Sequence, residues 1–232
     1  MTTKSKITIA IDGYSSSGKS SMARQLAKNI GYRYVDSGAM YRAVALYALR
    51  HDMINPDMSV NEDALINALK DINIGFEVEG DRQFTILNGE NVESEIREMA
   101  VSNCVSPVAA IPAVRRALVV MQQNMEQEKG IVMDGRDIGT TVFPHAEMKV
   151  FVNASAETRA QRRLDELTQK GVVTTYEEIL ANVVNRDHLD ETRAESPLRK
   201  ADDAVVLDNS TMTIEQQNAW LLDLYAKIIS QQ

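Results

Sequence analysis

The eight residues Gly13-Tyr14-Ser15-Ser16-Ser17-Gly18-Lys19-Ser20 fit the spacing G-x-x-x-x-G-K-[ST] at every fixed position. Glycines at these places let backbone N–H groups turn inward around a polyphosphate. Lys19 can reach the outer phosphates as a point charge, and the Ser20 hydroxyl can face Mg²⁺. Ser21 follows directly and completes a candidate nucleotide-phosphate site, expected as a surface turn. A serine-rich turn without a ligand is the plainer alternative, but it does not explain Gly, Lys and Ser at these offsets. A second candidate acid is Asp134, which ends the apolar run Gly130-Ile131-Val132-Met133-Asp134 and suits a Mg²⁺-associated carboxylate, directly or through water.

Those groups need a strand before them and a helix after them. Lys6 to Asp12 reads K-I-T-I-A-I-D, a β-branched run suited to a buried parallel strand. Met22, Ala23, Leu26, Ala27 and Ile30 then recur at helical spacing. Further strands are expected at Tyr32–Val35, Met148–Val152 and Ala204–Asp208. Asp36 or Ser37 caps a helix through Val44, Leu46 and Leu49. Asn61 to Asp71 reads as another helix, and Val101 to Glu128 as helical but interrupted by Pro107 and Pro112. Ser155 and Glu157 open a helix bearing Arg159, Arg162 and Arg163. Thr174-x-x-Glu177 and Thr213-x-x-Gln216 are capping-box patterns before two more.

Ile72, Ile74, Phe76 and Val78 alternate with mostly polar residues. Turns at Glu79-Gly80-Asp81 and Asn88-Gly89 flank Phe84 and Ile86. That segment reads as a small antiparallel sheet inserted into an α/β chain. Strands alternating with helices imply a mostly parallel sheet covered on both faces, a three-layer sandwich. Ligands bind such sheets at the carboxyl ends of the strands. The phosphate loop, Asp36, Asp134, Asn153 and Asp208 all fall there.

The chain has 232 residues, 44% hydrophobic and 25% charged, the size and composition of one α/β domain with insertions. Its single cysteine, Cys104, excludes an intramolecular disulfide and suits a small buried hydrophobe in a reducing, cytoplasmic setting. No apolar run approaches the roughly 20 residues that cross a bilayer, and Met1 to Lys6 leave no room for a signal peptide. A formal net charge of −8 argues against electrostatic binding of nucleic acid. Arginines nevertheless gather beside the motifs, at Arg42, Arg115, Arg136, Arg159, Arg162, Arg163, Arg186 and Arg193, as a focused anion site requires. Solvated helix faces are the plainer explanation for some of them.

Three stretches carry a family resemblance: Asp36-Ser37-Gly38-Ala39-Met40-Tyr41-Arg42, Asp134-Gly135-Arg136-Asp137-Ile138-Gly139-Thr140, and Ser196-Pro197-Leu198-Arg199-Lys200-Ala201-Asp202-Asp203-Ala204. In this order, from about Ile7 to the C-terminal helix, the sequence resembles bacterial cytidylate kinases. The resemblance implies a P-loop nucleoside monophosphate kinase with a core (about 1–60, 96–158 and 200–232), an NMP-binding β insert (about 61–95) and a helical lid (about 159–195). It implies transfer of the ATP γ-phosphoryl group to CMP or dCMP with Mg²⁺, by a cytoplasmic monomer. Gly13 to Ser21 with Arg159, Arg162 and Arg163 would then bind ATP. Arg42, Arg136 and Arg193 would hold the CMP phosphate, Lys19, Arg136 and Arg193 acting in catalysis. Ser106, Arg115 and Asp137 would read cytosine, and Arg186 and Asp190 would contact the sugar. Asp36, Ser37 and Tyr41 would line the pocket. Tyr14 departs from the pattern, because the family usually has proline there.

The chemistry of these side chains is consistent with that carry-over. Guanidinium forks bind a phosphate dianion bidentately. A carboxylate accepts from the cytosine amino group but repels the O4 of uracil. Rival readings are another small P-loop kinase acting on UMP, AMP or shikimate, and a regulatory P-loop ATPase. A GTPase would carry an N-K-x-D guanine motif, which the sequence lacks.

Overall fold

The computed structural model describes residues 6–80, 82–126 and 129–231. The signal-peptide reading of residues 1–5, Asp81 of the first expected turn, and the Gln127–Glu128 end of the expected helical stretch lie outside these. The chain divides into two units, Met1–Val35 with Met125–Gln232, and Asp36–Asn124.

The first unit is built on strand β1 (Thr8–Gly13), whose six residues are all buried. Ile9 and Ala10 point to opposite faces and both are fully buried, the mark of a strand covered on both sides. Around it stand β2 (Arg33–Asp36), β6 (Ile131–Gly135), β7 (Met148–Asn153) and β8 (Val205–Asp208), in the order β2-β6-β1-β7-β8. The β1–β6, β1–β7 and β7–β8 pairings are parallel. Ile7, Ile9 and Ile11, with Val132, Val150 and Val152, pack against Met22 and Leu26 of α1 (Lys19–Ile30) and Leu221 and Ile229 of α8 (Ile214–Ser230). Each fully buried aliphatic side chain contributes about 1.5–3 kcal/mol. This core fixes the strand ends that carry the chemistry. Val205 and Val206 stay exposed because β8 is an edge strand.

Two helices leave this sheet after β7. Helix α6 (Ala156–Gln169) is capped by Ser155, and α7 (Tyr176–Thr192) by a capping box. The box uses Thr175 and Glu178, one residue later than the Thr174/Glu177 pattern expected. Two adjacent threonines precede two adjacent glutamates, so both registers satisfy the motif, and packing of Ile179 and Val183 on Ala160 selects one. Thr213 and Gln216 form the expected box at α8.

The second unit begins where Asp36 caps α2 (Ser37–Arg50), its side chain accepting from the Ala39 N–H at 3.0 Å. Helix α3 (Glu62–Ala68) ends in a 3₁₀ turn, Leu69–Asp71. The expected inserted sheet follows as antiparallel β3 (Ile74–Glu79), β4 (Arg82–Leu87) and β5 (Glu90–Asn91). Helices α4 (Met99–Ala110) and α5 (Pro112–Asn124) complete the unit. Pro107 does not interrupt α4 as expected. It sits in the last turn on an exposed face, where solvent can satisfy the Asn103 carbonyl left without its N–H. Pro112 does divide the helices, as the first residue of α5. Cys104 is fully buried in α4.

Candidate active site

Gly13 ends β1 with φ 150°, and a Cβ built there would lie 2.2 Å from the Val152 carbonyl oxygen, so the loop can leave the sheet only through glycine. Gly18, at φ 85°, is the N-cap of α1, which aims the first N–H groups of the helix at the loop. The loop is not the surface turn expected: Ser15, Ser17 and Lys19 are buried, while Gly18 and Ser21 are exposed. Lys19 Nζ donates to the Tyr14 carbonyl at 3.1 Å. Ser20 Oγ donates to Asp134 Oδ2 at 2.7 Å, and Tyr34 Oη donates to Asp134 Oδ1 at 2.7 Å. The hydroxyl and carboxylate chosen from sequence therefore meet, and a tyrosine from β2 fixes the carboxylate plane. Two oxygen donors of this kind suit Mg²⁺, which binds one or two protein oxygens and keeps water and phosphate for the rest.

The three arginines expected to serve a lid separate in their contacts. Arg159 is 3% exposed and pairs with both Asp187 oxygens, at 2.9 and 2.6 Å, while its Nε donates to the Ala154 carbonyl. Arg162 donates to the Ser17 carbonyl at 3.3 Å and to both oxygens of Asn209. Arg163 turns to Glu166 on its own helix. Arg159 and Arg162 thus reach the phosphate loop, and Arg163 does not.

Beyond Asp134, the end of β6 continues into an ion cluster. Arg136 Nε donates to Asp190 Oδ2 at 2.8 Å. Arg193 lies 3.4 Å from Asp190 Oδ1 and 3.5 Å from Asp137 Oδ1, and its Nε donates to the Ser196 carbonyl. Burial raises the Asp190 carboxyl pKa, but Arg136, Arg186 and Arg193 overcome this and hold it below the usual carboxylate range. Asp137 is 4% exposed.

In the second unit Arg42 donates to Ser102 Oγ at 2.9 Å. Asp36 pairs with Arg97 at 3.0 Å and is buried with Ser37. Arg115 is 1% exposed, donates to the Ala109 carbonyl, and lies 5.2 Å from the ring centroid of Tyr41. Ser106 lies on α4, half-buried.

Sequence reasoning missed four residues. Asp12 is buried and accepts from the N–H groups of Ile138 and Gly139 at 2.8 and 2.7 Å, so it ties the loop after Arg136 to the phosphate-loop strand. A Cβ on Gly139 would come within 3.3 Å of Asp12 Oδ2. Burial pushes the Asp12 carboxyl up to about 7, opposed by the Gly139 and Ile138 bonds and by Lys19, and assisted by Asp137. Asn209 is fully buried and donates to the Ser17 carbonyl at 2.7 Å. Its position just past the β8 end, beside the Asp208 that was singled out, is the signal for it. Asp187 and Arg97, the partners of Arg159 and Asp36, carry no sequence signal of their own.

The family model described as Cytidylate kinase matches residues 9–227. The chain is 59% identical over 226 residues to a cytidylate kinase of Parabacteroides distasonis, covering 97% of this chain and 98% of the relative. It is 58% identical to one of Bacteroides fragilis and 55% identical to one of Flavobacterium johnsoniae, each covering 97% of this chain and 98% of the relative. A family match over most of the chain and relatives of this identity show that the chain belongs to the cytidylate kinase family.

Proposed function

We infer that this chain transfers the γ-phosphoryl group of ATP to CMP or dCMP, giving CDP or dCDP and ADP. One observation carries the reading in the geometry. Asp134 and Arg136 stand two residues apart at the end of β6, one paired with the phosphate-loop Ser20 and the other with the Asp190 that gathers Arg193. Two residues of strand span roughly 7 Å. A donor phosphate on the loop and an acceptor phosphate on the arginines would therefore be neighbours, as transfer requires.

The acceptor oxygen is already ionised at neutral pH, so the chemistry needs positioning and charge neutralisation rather than a general base. Lys19 and the inward N–H groups of the loop neutralise the donor. Arg42, Arg136 and Arg193 are proposed to hold the acceptor phosphate, and Asp190 fixes the latter two guanidinium planes. Ser20 and Asp134 would hold Mg²⁺, which when bound would neutralise and orient the β- and γ-phosphates. Arg159 and Arg162 bracket the loop backbone, with Arg162 better placed to turn toward ATP, because Arg159 is held by Asp187, Ala154 and the Ser15 carbonyl. Ser106, Arg115 and Asp137 are each proposed to bind the cytosine base, Arg186 and Asp190 the sugar, and Asp36, Ser37 and Tyr41 to border the acceptor.

The test is an ADP-release assay with ATP and, in turn, CMP, dCMP, UMP, AMP and shikimate. Turnover restricted to CMP and dCMP is expected. Equal turnover of UMP or AMP, or hydrolysis of ATP with no acceptor, would overturn the reading.

A further inference from the structure

Tyr14 does more than occupy a phosphate-loop position. Its carbonyl holds Lys19 Nζ. Its ring meets Phe151 edge-on at 5.9 Å and lies 4.8 Å from the Arg159 guanidinium carbon. Its hydroxyl donates to Glu191 Oε1 at 2.6 Å. Burial and the Glu191 bond push that hydroxyl up to about 12, so it stays a proton donor across the working range.

Glu191 and Asp187 are four residues apart and share one stripe of α7, which meets Tyr14 and Arg159. Arg186 and Asp190, four residues apart, form the neighbouring stripe, about 100° away around the helix, and Arg193 caps the helix just beyond them. Apolar packing does not fix this end of α7. Its buried residues, Ile179 and Val183, lie in the first half of the helix and pack on Ala160. Beyond them lies an open cavity of about 410 Å³, lined by Tyr14, Asn153, Arg159, Val184, Asp187 and Glu191 among others. The polar contacts across this cavity, together with the Arg136–Asp190 bond, set where the second stripe stands.

We propose that Tyr14 is a positioning residue that docks the C-terminal half of α7 on the phosphate loop through Glu191, and so places Arg186, Asp190 and Arg193 relative to Lys19. This rests on the reading of those three residues as acceptor-binding groups. Beside the Arg159–Asp187 pair, this one hydroxyl then ties the donor loop to the helix that carries the acceptor groups.

The experiment compares Tyr14→Phe, Glu191→Ala, their double variant and Glu191→Gln in the full chain. Phenylalanine keeps both ring contacts and removes only the hydroxyl. An exposed hydrogen bond to a carboxylate predicts that Tyr14→Phe and Glu191→Ala each raise the CMP KM about fivefold. The ATP KM should move by less, and the double variant should be no worse than either single one. Glu191→Gln keeps an acceptor and should recover most of the loss. Hydrogen exchange of residues 184–192 is read in parallel, and Tyr14→Phe should quicken it. Additive effects, an unchanged CMP KM in a folded Tyr14→Phe protein, or unchanged exchange would overturn the proposal. Absence of CMP turnover in the unsubstituted chain would instead overturn the functional reading, and the exchange comparison would still decide the docking.

Discussion

Asp190 accepts from Arg136 Nε at 2.8 Å and faces Arg193 on its other oxygen, so one carboxylate on α7 sets the plane of a guanidinium at the end of β6. The carboxylate is there to orient rather than to bind phosphate, which it would repel. Asp190→Asn keeps the shape but loses the charge-assisted bonds. The expected result is a CMP affinity about tenfold weaker, with ATP affinity changed much less. Separate calorimetric titrations of the two nucleotides check this. An equal loss for both would place the cluster on the fold rather than on the acceptor.

The role proposed for Lys19, neutralising charge that develops during transfer, predicts that Lys19→Ala lowers kcat on the order of 10³-fold. Lys19 is buried, and its Nζ donates to the backbone of its own loop, so the variant is expected to fold. Steady-state rates with a matched thermal melt measure both. Near-normal kcat in a folded variant would remove Lys19 from the mechanism.

The donor half of this site is legible in the sequence because the phosphate loop is local: its glycines, lysine and serine lie within eight residues. Asp134 is legible because it ends a buried strand. The acceptor half is named there only through the family resemblance, because its geometry is made by partners distant along the chain. Asp190 lies 54 residues from Arg136, and nothing in either neighbourhood announces the pair. Asp12 is hidden for another reason. It looks like the polar end of a strand, and only the fold shows that its two oxygens cap the backbone at Ile138 and Gly139. At Pro107 the local rule was overridden, since a proline in an exposed last turn costs less than one in a helix centre.

Ser20→Ala removes one oxygen of the pair with Asp134 while leaving Tyr34 to hold the carboxylate. The Mg²⁺ concentration for half-maximal activity should rise about tenfold, with the rate partly restored at high metal. A titration of activity against Mg²⁺ at saturating nucleotides reads this. An unchanged metal dependence would show that Ser20 only orients Asp134.

The Asp12 carboxyl gives stability a pH dependence of known sign. Its pKa rises from 3.8 to about 7 on folding. The native state thus holds a proton that the unfolded chain has lost between those values. Stability from this group is full below about pH 4 and is lost as pH rises toward 7, by at most about 4 kcal/mol at 1.36 kcal/mol per unit. Asp12→Asn cannot titrate, so the stability of the natural chain relative to this variant should fall across that window. Urea unfolding of both proteins at pH 4.5, 6 and 7.5 measures it. Parallel curves would mean that the two backbone N–H bonds keep Asp12 ionised throughout.

Base choice is proposed to turn on Asp137, which is buried and lies 3.5 Å from Arg193. Two roles compete. A carboxylate free to accept from the cytosine amino group rejects uracil, whose O4 it repels. A carboxylate that only holds Arg193 has no view of the base. Asp137→Asn separates them, because the amide can rotate to donate to O4. Direct recognition predicts that the CMP/UMP ratio of kcat/KM falls by a factor worth roughly 1–3 kcal/mol, the cost of one unsatisfied buried polar group. The ion-pair role predicts that both substrates lose together while the ratio stays fixed. Measuring CMP and UMP turnover on this one variant decides the matter, and a constant ratio would remove Asp137 from base recognition.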